Sequence, residues 1–84
     1  MEKSIYTREY EVALCLLRDA RTRAGITQVE LARKLGQTQS FVSKIERGDR
    51  RLDIVQLRTL CRIYGLTLAE FVERLEKELR TRRK

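Results

Sequence analysis

The chain has 84 residues, 42% hydrophobic and 37% charged, with 19 Lys plus Arg against 12 Asp plus Glu, a net charge of +7 and a pI near 10.0. That length makes one domain with one core, burying about 60 to 65% of its unfolded surface, and its positive charge points to a polyanionic partner without separating DNA from RNA or an acidic membrane. The absence of His, of a metal-ligand cluster and of a phosphate-cradling glycine loop removes the starting points for an enzyme, so no catalytic residue, metal, cofactor or small-molecule substrate is expected.

In chain order, residues 1 to 6 form a short mixed leader without a pattern. Thr7 is placed to cap a first helix that runs to about Ala24 and ends at Gly25, with Ala13, Leu16, Leu17, Ala20 and Ala24 as its expected buried side. Arg18, Arg21 and Arg23 bring positive charge to its C-terminal end, where the helix dipole favours it. Thr27 and Glu30 have the spacing of a capping box, Ile26 and Leu31 can close a hydrophobic staple around it, and Leu31, Ala32 and Leu35 form one apolar stripe. A second helix therefore starts at Thr27 and stops at Gly36, which can take the left-handed conformation. Thr38 caps a third helix, with Val42 and Ile45 on its inner face and Gln39, Ser40, Ser43, Lys44 and Arg47 on its outer one; Gly48 stops it.

Asp49, Arg50 and Arg51 make a charged loop. Asp53 and Gln56 repeat the capping box, with Leu52 and Leu57 as staple, and open a fourth helix whose stripe is Leu57, Leu60, Cys61 and Tyr64, closed by Gly65. Thr67 and Glu70, with Leu66 and Phe71, open a fifth, where Leu68, Phe71, Val72, Leu75 and Leu79 give a wide apolar face. The chain contains no proline, so little interrupts this five-helix pattern.

The stretch from 27 to 48 resembles the helix-turn-helix of the Cro and lambda-repressor type, the XRE-like family of small bacterial and phage regulators. Gln28 stands first, Ala32 where two helices must approach closely, Gly36 in the turn, and Val42 and Ile45 in the packed face. Arg21, the Gly-Ile-Thr-Gln run at 25 to 28 and the Ile-Glu-Arg-Gly run at 45 to 48 extend the likeness over roughly residues 13 to 75. The resemblance implies a compact all-α, five-helix domain over 7 to 79, helices two and three forming the motif. It implies a cytoplasmic, nucleoid-associated regulator, a repressor or autoregulator, with double-stranded DNA as partner. By the same match, Arg21 pairs with Glu46 in a partly buried contact. Gln39, Ser40 and Lys44 become the base-reading positions, with Ser43 and Thr38 beside them.

Residue chemistry agrees with that assignment. Gln can present a bidentate amide to adenine, Lys favours guanine O6 and N7, and Ser tolerates either, each good pairing discriminating by about 1 to 3 kcal/mol. Phe41 either props the helix against its own domain or touches a thymine methyl, and packing is favoured. Phosphate contacts are expected from Gln28, Thr27 and the free amides at the start of their helix, and from Arg47, Arg50 and Arg51, with Arg33 and Lys34 less firmly. Between residues 18 and 58 there are ten Lys or Arg against five Asp or Glu, so most of the excess charge surrounds the motif.

One domain of this size covers a half-site, which suggests a homodimer on a pseudo-palindrome with recognition helices about 34 Å apart. Leu68, Phe71, Val72 and Leu75 either complete the monomer core or face the second copy. Residues 80 to 84 form a basic tail, solvated or touching phosphate. With no signal peptide and no apolar run near 18 residues, Cys15 and Cys61 are expected to be small buried thiols in a reducing cytoplasm. The alternative in a different class is an antitoxin-like or partner-binding module in which DNA binding is secondary. Membrane binding is opposed by the acids Glu70, Glu73, Glu76 and Glu78 of the fifth helix, and an RNA-module reading by the lack of aromatic stacking platforms.

Overall fold

The computed structural model describes residues 7 to 82; the leader and the last two residues of the basic tail lie outside them. Five helices follow one another, α1 Arg8–Arg23, α2 Gln28–Leu35, α3 Gln39–Arg47, α4 Ile54–Ile63 and α5 Leu68–Arg82, with no strand among the described residues. Residues 80 to 82 therefore extend α5.

Each helix starts because one side chain satisfies a backbone donor that the helix itself cannot. The Thr7 hydroxyl accepts the Tyr10 N–H at 3.1 Å and the Thr38 hydroxyl accepts that of Phe41 at 3.1 Å. At α2 the box is reciprocal, with Glu30 N–H donating to Thr27 at 3.0 Å and Thr27 N–H to the Glu30 carboxylate at 2.9 Å. The donated N–H holds the Glu30 carboxyl below its ordinary pKa. The same closure recurs between Asp53 and Gln56 at 2.8 and 3.0 Å, and between Thr67 and Glu70 at 3.0 and 2.9 Å. Each cap contributes about 1 kcal/mol, and none depends on the rest of the fold.

The turn between α2 and α3 depends on Gly36, whose φ of +69° lies in the left-handed region. Its conformation lets Gln37 N–H reach back to the Ala32 carbonyl at 2.9 Å, closing the helix end. A Cβ there would meet no atom within 4 Å, so the requirement is torsional and not one of space.

The core gathers Leu14 and Leu17 of α1, Leu31 and Ala32 of α2, Val42 of α3, Leu60 and Cys61 of α4, and Phe71 of α5. α2 packs on α3, α1 runs beside α3 and α5, and α4 leans on α5. The buried side of α1 differs from the expected one. Val12, Leu14, Leu17 and Ala20 are buried, Ala13 and Leu16 are only half-buried, and Ala24 is exposed as the C-cap residue. Residues 12 to 17 are all apolar, so their spacing does not choose a face; packing against α3 and α5 does. Cys15 is exposed as a result, against the expectation of two buried thiols, whereas Cys61 is fully buried and its thiol pKa is pushed up by desolvation.

Candidate nucleic-acid interface

Behind α3 lies a chain of hydrogen bonds that crosses three helices. Arg21 and Glu46 are the buried charged residues among those described, 9% and 7% exposed. Arg21 Nε donates to Glu46 Oε2 at 2.7 Å and Nη2 to Oε1 at 3.2 Å, a bidentate fork, while Nη1 donates to the Ile26 carbonyl at 2.9 Å. The planar guanidinium thus fastens α1, the α1–α2 turn and α3 at one point. Glu46 Oε1 also accepts from Gln28 Nε2 at 2.9 Å, and Gln28 Oε1 accepts from Gln39 Nε2 at 2.9 Å. The Gln28 amide, expected at a phosphate, is half-buried and links Glu46 to the first residue of α3. The Gln28 backbone N–H, in the first turn of α2, has no partner within the helix.

Tyr64 sits beside this pair. Desolvation, and then the Glu46 carboxylate, push its phenol pKa far above the ordinary range, so it stays neutral.

On the outer face of α3, Gln39, Ser40 and Lys44 are exposed, and the side chains of Ser40 and Lys44 make no hydrogen bond among the described residues. Gln39 is steadied through one amide N–H and keeps its oxygen and second N–H for a ligand. Ser43 and Arg47 are more committed. The Ser43 hydroxyl is half-buried and accepts from Arg47 Nη1 at 3.0 Å, and Arg47 pairs with Asp49 at 2.9 Å. Both groups of that pair are about half exposed, so the pair itself contributes little stability. The Thr38 hydroxyl oxygen serves as the cap of α3.

Phe41 is half-buried against the core, and its ring carries the Arg50 guanidinium at 4.7 Å from the centroid. Arg51 lies over the Tyr10 ring at 5.7 Å, and the Leu52 N–H donates to Tyr10 Oη at 3.2 Å. No sequence signal foretold the Tyr10 contacts, which join positions 41 and 42 apart. The Gln28 and Gln39 contact had a faint one, since each opens its helix with the same residue type.

Of the expected dimer face, Phe71 is spent on the chain's own core at 2% exposure; a full phenyl ring has to be buried where α1 and α4 meet α5. Val72 is 43% exposed, and Leu68 and Leu75 are half-buried. Among the described residues no group of His, Cys, Asp or Glu could hold a metal ion, and no helix is long and apolar enough to cross a membrane.

Comparison with known proteins bears on this geometry. A family model described as helix-turn-helix matches residues 17–71. Among solved structures, an XRE-family like protein from Pseudomonas syringae pv. tomato str. DC3000 is similar, 44% identical, with a TM-score of 0.80 over 89% of this chain and 92% of that one. No curated protein sequence matches the chain.

Proposed function

Because the chain belongs to the XRE-like helix-turn-helix family, we propose that it is a transcriptional regulator that binds double-stranded DNA sequence-specifically, laying α3 in the major groove. The observation that carries this reading is the division of labour across α3. Its inner face is pinned by the buried Arg21 and Glu46 pair, while Gln39, Ser40 and Lys44 point outward with no acid among them. A rigid helix presenting an amide, a hydroxyl and an ammonium is what base edges require, and the rigidity means that little order has to be imposed on binding.

Register is fixed by phosphate contacts from the amides at the start of α2 around Thr27 and Gln28, and from Arg47, Arg50 and Arg51. Arg47 exchanges its bond to Asp49 for a phosphate. A single domain reads a half-site, so the active species is a homodimer on a pseudo-palindromic operator, joined through the outer side of α5 around Leu68, Val72 and Leu75. The output is repression or autoregulation.

Selection of bound duplexes from a random-sequence pool at near-physiological salt, followed by titration of the winner against a scrambled duplex, tests the reading. A two-fold symmetric site, bound on the order of a thousandfold above the control, supports it. Flat enrichment, with binding that vanishes as salt rises, removes it and leaves a generic polyanion surface.

A further inference from the structure

Gly48 ends α3 in the left-handed region, with φ of +87°, and the turn it makes returns both Asp49 N–H and Arg50 N–H to the Lys44 carbonyl, at 2.8 and 3.1 Å. The reversal brings the Asp49 carboxylate back beside Arg47. Arg47 Nε donates to Asp49 Oδ2 at 3.0 Å, Nη2 lies 2.9 Å from the same oxygen, and Nη1 donates to Ser43 Oγ at 3.0 Å. The guanidinium is therefore held from two sides, by Ser43 one turn back on α3 and by the loop that follows. Asp49 is the one acid between Glu46, which is buried against Arg21, and Asp53, whose carboxylate caps α4.

A guanidinium grips an oxyanion by forking two N–H groups onto it along one edge. The edge of Arg47 formed by Nε and Nη2 already carries a carboxylate, so a phosphate that takes this edge has to displace Asp49 and then stands near a second negative charge. The pair contributes little to the fold, because both of its groups are about half exposed. What it governs is the availability of Arg47.

We propose that Asp49 is an internal competitor for the phosphate that Arg47 contacts: it holds the cation against the free chain and keeps affinity for duplexes below what the positive charge of this surface would give. The inference rests on the reading that the chain binds DNA, and adds to it an acid, outside the base-reading positions, that tunes affinity downward. Competition for a phosphate contact acts on every duplex by a similar factor. The preference among sequences stays with Gln39, Ser40 and Lys44.

The test measures binding of the duplex selected from the random pool, and of a scrambled one, as a function of salt for the wild-type chain, Asp49→Asn, Arg47→Ala and the double variant, each kept well below its melting temperature. Asp49→Asn keeps the size of the side chain and removes its charge. Both duplexes should then bind about three- to fivefold tighter, the scale of an exposed ion pair, and the slope of log affinity against log salt should steepen by up to about one. Arg47→Ala should weaken both. In the Arg47→Ala background, Asp49→Asn should gain less than about twofold, because no cation is left to release. Any other contact of the Asp49 carboxylate is lost in both backgrounds and cancels from the comparison. A variant that was merely less stable would bind more weakly, the opposite of the expected direction. An equal gain in both backgrounds overturns the competition, since Asp49 would then act on DNA by its charge alone, and so does the absence of any gain in the wild-type background. Both of those results leave the DNA reading standing. If the wild-type chain binds no duplex, the DNA reading falls first and the role of Asp49 with it.

Discussion

Glu46 is where folding and the outer face of α3 are joined, so Glu46→Ala is the most informative single change. It leaves the Arg21 guanidinium, 9% exposed, without its counter-charge. Removing one partner of a buried pair costs about 3 to 5 kcal/mol. The lower end applies here, because Arg21 Nη1 keeps the Ile26 carbonyl at 2.9 Å and partial exposure lets water reach the rest. A domain of this length has a total stability of roughly 4 to 13 kcal/mol, so a loss of about 3 kcal/mol is a large fraction of it. The melting temperature should fall by roughly 12 to 24 °C at about 4 to 8 °C per kcal/mol. Urea unfolding followed by circular dichroism measures it, with an unchanged slope showing that the denatured state is not at issue. Replacing both partners by apolar residues, Arg21→Met with Glu46→Leu, should recover much of the loss, since neither charge then needs a partner. A Glu46→Ala variant within about 0.5 kcal/mol of wild type would refute the reasoning, because side chains that bury no essential contact behave that way.

Further outcomes follow from the same geometry. Gln39→Ala should change the ranking of bound sequences, while Arg50→Ala should weaken all of them alike and reduce the salt slope, both read by titration of a duplex panel. Phe71→Ala should cost about 3 to 5 kcal/mol in urea unfolding, because the ring is 2% exposed and its loss leaves a cavity between helices. A thiol reagent should label Cys15 in the native chain and reach Cys61 only on unfolding, which timed mass spectrometry separates. Tyr64 should resist ionisation in a spectrophotometric titration. Since its phenol pKa is raised in the folded state, it leaves stability unchanged below the ordinary tyrosine pKa of about 10, and stability declines as the pH climbs beyond it.

What the sequence made legible follows the range of each interaction. Caps act over three residues, so Thr7, Thr27, Thr38, Asp53 and Thr67 announced the helix starts from local spacing alone. The family motif supplied the meeting of Arg21 with Glu46, 25 positions apart, which no local pattern would have found. The face of α1 was misread because residues 12 to 17 are all apolar, and only neighbouring helices decide which of them are buried. On α5 the apolar stripe was wide enough for two neighbours, and the Phe71 ring went to the core. The link from Gln28 to Gln39 and the hold of Tyr10 on Leu52 depend on which side chains tertiary packing brings together, so neither is visible along the chain.

The side chains of Ser40 and Lys44 carry no part of the fold, and that bears on how such a protein can diverge. Exchanges at these two positions should stay within about 0.5 kcal/mol of neutral for folding, so under the proposed DNA-reading role base preference can drift while the scaffold stays sound. Position 39 is not free in the same sense. Its amide leans on Gln28, and Gln28 leans on Glu46. A new residue at 39 asks for a matching change at 28, and descendants of this chain with altered specificity should therefore carry substitutions at 40 and 44 singly, but at 28 and 39 together.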